Sequence, residues 1–195
     1  MRRIVVVEFL TLDGVMQAPG EPDEDRSGGF EHGGWQRDYF DDTLGASILG
    51  GLKETDGFLL GRRTYETFAA HWPNQPPEDP LAGTFNELPK WVVSTTLGEP
   101  LAWNNSTLIQ GDVAAAISRM REEPGKDIQV IGSGELVQTL IRHDLVDEYR
   151  LMVHPIVMGA GKRLFRDDLP RTGLRLVEAV PTPTGVLINR YVPAR

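Results

Sequence analysis

Val130-Ile131-Gly132-Ser133-Gly134-Glu135-Leu136 is followed by Leu145-Val146-Asp147-Glu148-Tyr149 and by Pro155-Ile156-Val157-Met158-Gly159-Ala160-Gly161-Lys162-Arg163-Leu164-Phe165. An apolar run, Ile128, Val130 and Ile131, breaks into Gly-Ser-Gly, and Leu136, Leu140 and Ile141 then recur at helical spacing. The pattern predicts a buried strand, a tight turn and a helix N-terminus. Glycines let a backbone approach a ligand closely, and the free N–H groups of a first helical turn favour an anion. Gly132, Ser133 and Gly134, with the N–H groups of Glu135 and Leu136, form a candidate phosphate cradle. The bland alternative is a helix that merely needs a sharp entry. Glu135 itself reads as a charge that complements the helix dipole.

Two other stretches repeat the logic. Gly57-Phe58-Leu59-Leu60 ends in Gly61-Arg62-Arg63-Thr64, and Lys90-Trp91-Val92-Val93 ends in Ser94-Thr95-Thr96. Two arginines in the first turn of a helix oppose the dipole, so their position calls for another reason. In sheets with helical crossovers, ligands bind outside the carboxyl ends of the strands. Hydroxyls, backbone N–H groups and a guanidinium fork together suit a phosphorylated nucleotide. Ser94 and Thr95 are also ordinary turn formers, and Thr64 is also a possible local cap.

The rest of the chain predicts alternating elements. Strands are expected at 3–10, 57–60, 90–94, 107–109, 127–131 and 147–157, and helices at 38–53, 62–70, 113–122 and 134–143. Residues 174–180 and 185–192 read as a terminal antiparallel hairpin. Residues 13–37 and the proline-rich 71–88 read as long loops, the first functional or mobile. Strands alternating with helices imply an α/β fold with a mostly parallel sheet covered on both faces. The 195 residues are read as a single domain, 1–195.

Composition removes several classes of function. The net charge is −8, with no basic segment interleaved with aromatics, so nucleic acid is not an expected partner. No apolar run is long enough to span a membrane, and the first strand follows Met1 too closely for a secretory leader. There is no cysteine, which removes disulfides, thiolate metal sites and cysteine nucleophiles and fits a cytoplasmic protein. His32, His71, His143 and His154 show no metal spacing, so no metal is expected, and His154 reads as a buried strand residue. The Gly-x-Ser-x-Gly elbow of hydrolases is absent.

The order of motifs resembles the dihydrofolate reductase superfamily. It is closest to proteins related to the C-terminal reductase domain of bacterial riboflavin biosynthesis. The resemblance runs from Thr11-Leu12-Asp13-Gly14 through Gly61-Arg62-Arg63-Thr64, Val92-Val93-Ser94 and Gly132-Ser133-Gly134-Glu135-Leu136 to the segment 155–165. It implies a three-layer reductase fold and NADPH as cofactor. It places Gly61, Arg62, Arg63, Thr64, Ser94, Thr95 and the 132–136 turn at that cofactor, with Arg62 and Thr64 the usual contacts. It also implies that Asp13 and Gly14 close over nicotinamide and substrate, and that a homodimer forms. Trp35, with Tyr39 and Phe40, is a candidate substrate wall; aromatics near a helix start are equally core. Asp13 and Asp38 are the weak candidates for a catalytic acid, because Asp38, Asp41 and Asp42 lie where the superfamily places one.

The expected substrate is a small heteroaromatic or imine-type molecule, of pterin or 5-amino-6-(5-phosphoribosylamino)uracil type. The stretch Thr64-Tyr65-Glu66-Thr67-Phe68 stands where riboflavin reductases carry an arginine- and aspartate-rich segment, so the resemblance does not select between them. The opposing reading is a non-catalytic nucleotide-binding protein that keeps the fold.

Overall fold

A computed structural model describes residues 1–76 and 78–194. Eight strands form one sheet: β1 (Ile4–Thr11), β2 (Thr55–Gly61), β3 (Lys90–Val93), β4 (Ser106–Ile109), β5 (Asp127–Ile131), β6 (Glu148–His154), β7 (Leu174–Pro181) and β8 (Leu187–Pro193). Their order is β4-β3-β2-β5-β1-β6-β8-β7. The first six are mutually parallel, while β8 runs antiparallel to both β6 and β7. Five α-helices connect them: α1 (Asp42–Lys53), α2 (Arg62–His71), α3 (Pro80–Glu87), α4 (Val113–Glu122) and α5 (Gly134–Arg142).

The two-residue period of β1 divides the core. Ile4, Val6 and Leu10 pack with Ile117 and Met120 of α4 and with Leu136, Val137 and Leu140 of α5. Val7 and Phe9 turn to the opposite face, against Leu44 of α1, Met152, Val186 and Ile188. On that same side Leu52, Tyr65 and Phe85, from α1, α2 and α3, cover Phe58, Leu60 and Val92. The result is a three-layer sandwich with a parallel sheet buried on both faces, which is why its strands read as apolar runs.

Helix starts follow their capping residues. Asp41 accepts from the Leu44 N–H at 2.9 Å, and Asp112 accepts from the Ala115 N–H at 2.9 Å. Asp79 accepts from Leu81 and Ala82, with Pro80 at the first helical position. That cap starts α3 inside the stretch expected to be a loop at 71–88. The prolines hid it: Pro80 is a helix-start residue rather than a breaker. Strand β6 is shorter than the expected 147–157, since Pro155 ends it. In the hairpin, Leu176, Val177 and Leu187 are exposed, whereas Val186 and Ile188 are buried. Strand β6 lies inside the sheet between β1 and β8, so β7 alone keeps an open edge on this side.

The chain order reverses at the centre. The β1–α1–β2 crossover passes β5 in one direction, and the β5–α5–β6 crossover passes β1 in the other. With right-handed crossovers this sends α1 and α5 to opposite faces. It opens the crevice at the carboxyl ends of β1 and β5, the place where open α/β sheets bind ligands.

Candidate functional site

The carboxyl ends of β1, β2, β3, β5 and β6 line one edge, and two of the motifs are joined there. Ser133 adopts a left-handed conformation (φ 57°, ψ 39°), and Gly132 before it has φ 60°. This turn carries the Ser133 hydroxyl to within 3.0 Å of the Gly61 N–H, from which it accepts, while donating to the Ile131 carbonyl. In return the Thr64 hydroxyl accepts from the Ser133 N–H at 3.0 Å. The first turns of α2 and α5 are therefore pinned side by side. Among the described residues, the first-turn N–H groups of Arg62, Arg63 and Thr64, and of Gly134, Glu135 and Leu136, have no hydrogen-bond partner. Two helix N-termini thus present free donors and positive dipole ends to one edge.

The turn excludes side chains. A Cβ on Gly132 would sit 3.1 Å from the Thr64 hydroxyl, and one on Gly134 would meet the Met16 sulfur at 3.1 Å. Arg62 is occupied by Glu66, one turn along the same helix, at 2.9 Å. Arg63 is exposed, makes no ion pair among the described residues, and lies near enough to Glu135 for its field to act there. Glu135 is paired with Arg166, which holds its carboxyl below the usual range. The Leu136 side chain belongs to the core. The β2–β3 register sets Gly61 opposite Val93, which brings Ser94 beside the start of α2. Ser94 is buried, and its hydroxyl accepts from the Thr96 and Leu97 N–H groups at 3.1 and 3.0 Å; Thr95 beside it is exposed.

Asp13 has a full set of partners. One carboxylate oxygen accepts from the Thr11 hydroxyl at 2.6 Å and the Met158 N–H at 3.1 Å, and the other from the Gly159 N–H at 2.9 Å. Arg163 stands 3.5 Å away. These donors, the Thr11 hydroxyl foremost, push its pKa down to about 2. Asp13 therefore locks the segment after β6 onto the turn after β1, with Gly14 (φ 81°) completing that turn. The lock continues through the Val15–Arg163 bridge and the Met16 N–H to Lys162 carbonyl bond. Buried Gln17 extends it, holding the Asp25 and Ser27 carbonyls and the Lys162 N–H. The long loop expected at 13–37 is thus tied down by internal bonds.

Asp38 is exposed on a one-turn 3-10 segment, while Asp41 caps α1 and accepts from Thr184. Trp35 is buried, donates its indole N–H to the Gln17 carbonyl at 2.8 Å, and stands edge-on to His154. Phe9, Trp35 and Tyr39 surround the His154 ring. Its Nδ1 faces the Met152 and Leu10 carbonyls, which assigns the proton to that nitrogen, and Nε2 has no partner. Burial lowers the His154 pKa, against the pull of the two carbonyls. A separate groove of about 440 Å³ lies between Phe40, Ile48 and Leu49 on one side and Pro76, Pro80 and Leu81 on the other.

Sequence reading missed Glu8. It sits in β1 at 3% exposure, and one of its oxygens lacks any partner. The signal was a carboxylate inside Ile4-Val5-Val6-Val7-Glu8-Phe9-Leu10, a run otherwise apolar throughout. Among the described residues, no cluster of His, Asp or Glu is arranged to hold a metal ion, and no helix is long and apolar enough to cross a membrane.

Known proteins share this architecture. A putative riboflavin biosynthesis protein of Shewanella sp. PV-4 superposes with a TM-score of 0.71 at 19% identity, covering 99% of both chains. A pyrimidine reductase-like protein of Corynebacterium diphtheriae gives 0.68 at 14% identity, covering 100% of this chain and 92% of that one. Dihydrofolate reductase of Enterococcus faecalis, complexed with NADP(H), gives 0.63 at 11% identity, covering 99% and 97%. In sequence, the uncharacterized protein YyaP of Bacillus subtilis (strain 168) is 31% identical over 190 residues, 95% of this chain and 92% of that protein. YwjB of the same strain is 31% identical over 123 residues, 62% of this chain and 64% of that protein. The RibD C-terminal domain matches residues 2–188: with its dihydrofolate reductase-like fold, this chain belongs to the RibD C-terminal domain family.

Proposed function

We propose that the protein is an NADPH-dependent reductase that delivers a hydride to a small heteroaromatic or imine-type substrate, of pterin or 5-amino-6-(5-phosphoribosylamino)uracil type. The observation that carries this reading is the junction of α2 and α5, where Thr64 and Ser133 hold two helix N-termini side by side. Such a pair offers oriented N–H donors to a diphosphate without local cations, which suits a chain of net charge −8. A cradle this tight to side chains fits a cofactor that approaches the backbone. Arg63, free of ion pairs while Arg62 is engaged, is the cation suited to the extra ribose phosphate of NADPH; Ser94 and Thr95 adjoin it. When bound, the cofactor supplies the hydride. The chain's own task is to hold it along the β5–β2–β3 edge, to present Phe9, Trp35, Tyr39 and His154 toward the substrate side, and to exclude water with the locked loop after β1. A cytoplasmic setting and a homodimer complete this reading.

The test is a fluorescence titration of NADPH and NADH into the wild type, Arg63→Ala and Arg62→Ala. A charge-assisted contact of about 1.5–3 kcal/mol predicts roughly 10- to 150-fold preference for NADPH. Arg63→Ala should lose that preference and Arg62→Ala should retain it. Equal affinities in the wild type would refute the cofactor assignment. The non-catalytic reading is favoured by one observation, the engagement of Asp13 in a structural lock. Tight NADPH binding with no oxidation on dihydrofolate or aminouracil substrates would decide for it.

A further inference from the structure

The groove between α1 and the start of α3 is distinct from the cofactor cradle. Its walls are Phe40, Ile48 and Leu49 on one side and Pro80 and Leu81 on the other. Ile48 packs against the cluster of Leu44, Met152, Val186 and Ile188, as do Phe9 and Tyr39, so the groove lies on the α1 face of the sheet. A volume of about 440 Å³ and a lining of aromatic, aliphatic and proline side chains are those of a small-molecule site. Phe40 is 52% exposed, and among the described residues neither Phe40 nor Leu49 packs into a hydrophobic cluster. Their apolar area faces the groove instead of the core, and apolar surface left open in a concave place marks a contact site. Gly45, inside α1, keeps that wall in shape. A Cβ there would touch the Phe40 ring at 3.4 Å, so the ring lies directly over bare helix backbone.

Charge along the groove has one sign. Glu78 and Asp79 line it, and no Lys, Arg or His does. Glu78 is exposed and makes no ion pair among the described residues. The feature that would draw an anion, the N-terminus of α3, is already filled. Pro80 has no N–H, Leu81 and Ala82 donate to one Asp79 carboxylate oxygen, and Gly83 donates to the Asp79 carbonyl. A phosphate or carboxylate would find neither a cation nor a free N–H here, whereas an ammonium group would find two carboxylates.

We propose that this groove is a binding site for a small aromatic amine, its ring held between Phe40, Leu49 and Leu81 and its protonated nitrogen at the Glu78 carboxylate. Ring burial supplies most of the affinity. An exposed ion pair adds no more than about fivefold, so the carboxylates set the sign of the ligand rather than the strength of binding. The phosphoribosyl group of an aminouracil-type substrate is excluded from this groove. Occupancy needs no cofactor, so its outcome is separate from that of the NADPH titration.

Three probes of one shape and different charge test the site: naphthylmethylamine, naphthalenemethanol and naphthoate. Each is titrated into the full-length protein with isotope-labelled Ile and Leu methyl groups, read by nuclear magnetic resonance. The Ile48, Leu49 and Leu81 methyl signals should shift. The amine should bind about 2- to 5-fold tighter than the alcohol, and naphthoate more weakly than either. Glu78→Lys, a change at an exposed position, should make naphthoate the tighter of the two charged probes, with the same methyl groups responding. Leu49→Trp, which fills the groove from a position outside the packed clusters, should abolish these shifts while thermal unfolding stays cooperative. Shifts confined to other methyl groups, equal affinity of the wild type for amine and naphthoate, or an order unchanged in Glu78→Lys overturns the proposal.

Discussion

Replacing Asp13 with Asn separates an ionised lock from a catalytic acid. The carboxylate accepts three hydrogen bonds, from the Thr11 hydroxyl and the Met158 and Gly159 N–H groups, and faces Arg163. Asparagine keeps one acceptor oxygen and turns an amide N–H₂ toward groups that are themselves donors. The gap between an ordinary aspartate at 3.8 and one held at about 2 corresponds to about 2.5 kcal/mol of folding free energy at full value. The side chain is 21% exposed, so solvent screening reduces this to about 1–2 kcal/mol. The sign follows from linkage. The folded carboxyl releases its proton more readily than the unfolded one, so the stabilisation is complete above about pH 4 and is lost as the pH falls toward 2. Urea unfolding of wild type and Asp13→Asn should therefore differ by about 1–2 kcal/mol at pH 7 and converge progressively below pH 4. A difference that stays constant from pH 7 to pH 3, or no difference at pH 7, refutes the ionised lock.

Glu148, at 1% exposure, is held by Arg3, Arg150 and Arg190 at 3.2, 2.6 and 3.0 Å. Glu148→Gln leaves those guanidinium groups short of an anion and should cost about 3–5 kcal/mol in thermal or urea unfolding; a loss below 1 kcal/mol would show that solvent screens the cluster. Gly132→Ala puts a Cβ at φ 60° and 3.1 Å from the Thr64 hydroxyl. It should lower stability by about 1–2 kcal/mol and weaken NADPH binding at least tenfold, and unaltered binding would reduce the turn to a helix entry. The open edge of β7 with exposed Leu176 and Val177 suits pairing with a second copy, so light scattering should give twice the chain mass of 21.6 kDa. Leu176→Lys should then return a monomer, and a monomeric wild type removes the dimer.

Most of the fold is legible along the chain because its strands are buried on both faces. Ile128, Val130 and Ile131, or Phe58, Leu59 and Leu60, have no solvent side and so read as short apolar runs, and the residue closing each run is Gly or Ser. Helix α4 is equally plain, since Asp112 caps it and its apolar residues keep one face. Helix α3 was obscured because proline marks both helix starts and loops, and only the Asp79–Pro80 pairing tells them apart. The loop after β1 is a different case. Its order comes from Asp13 bonding to residues 145 and 146 positions away in sequence and from Gln17 reaching Lys162, contacts that no local pattern encodes.

The candidate site divides along the same line. Gly61, Thr64 and the 132–134 turn were each visible as motifs, yet what joins them is a bond between Gly61 and Ser133, and that depends on β2 and β5 being neighbours in the sheet. The two arginines, equivalent in sequence, are not equivalent in the fold: Glu66 lies one turn from Arg62 on the same helix and takes it, which leaves Arg63 exposed and without an ion pair among the described residues. The same reasoning accounts for Glu8. From sequence, an acid within an apolar strand reads as a residue on an exposed face, because alternation is the usual reason for a polar residue in a strand. The parallel sheet denies it such a face, since α5 and the loop after β1 cover that side. Burial there, without a cation, pushes its pKa well above the usual carboxylate range.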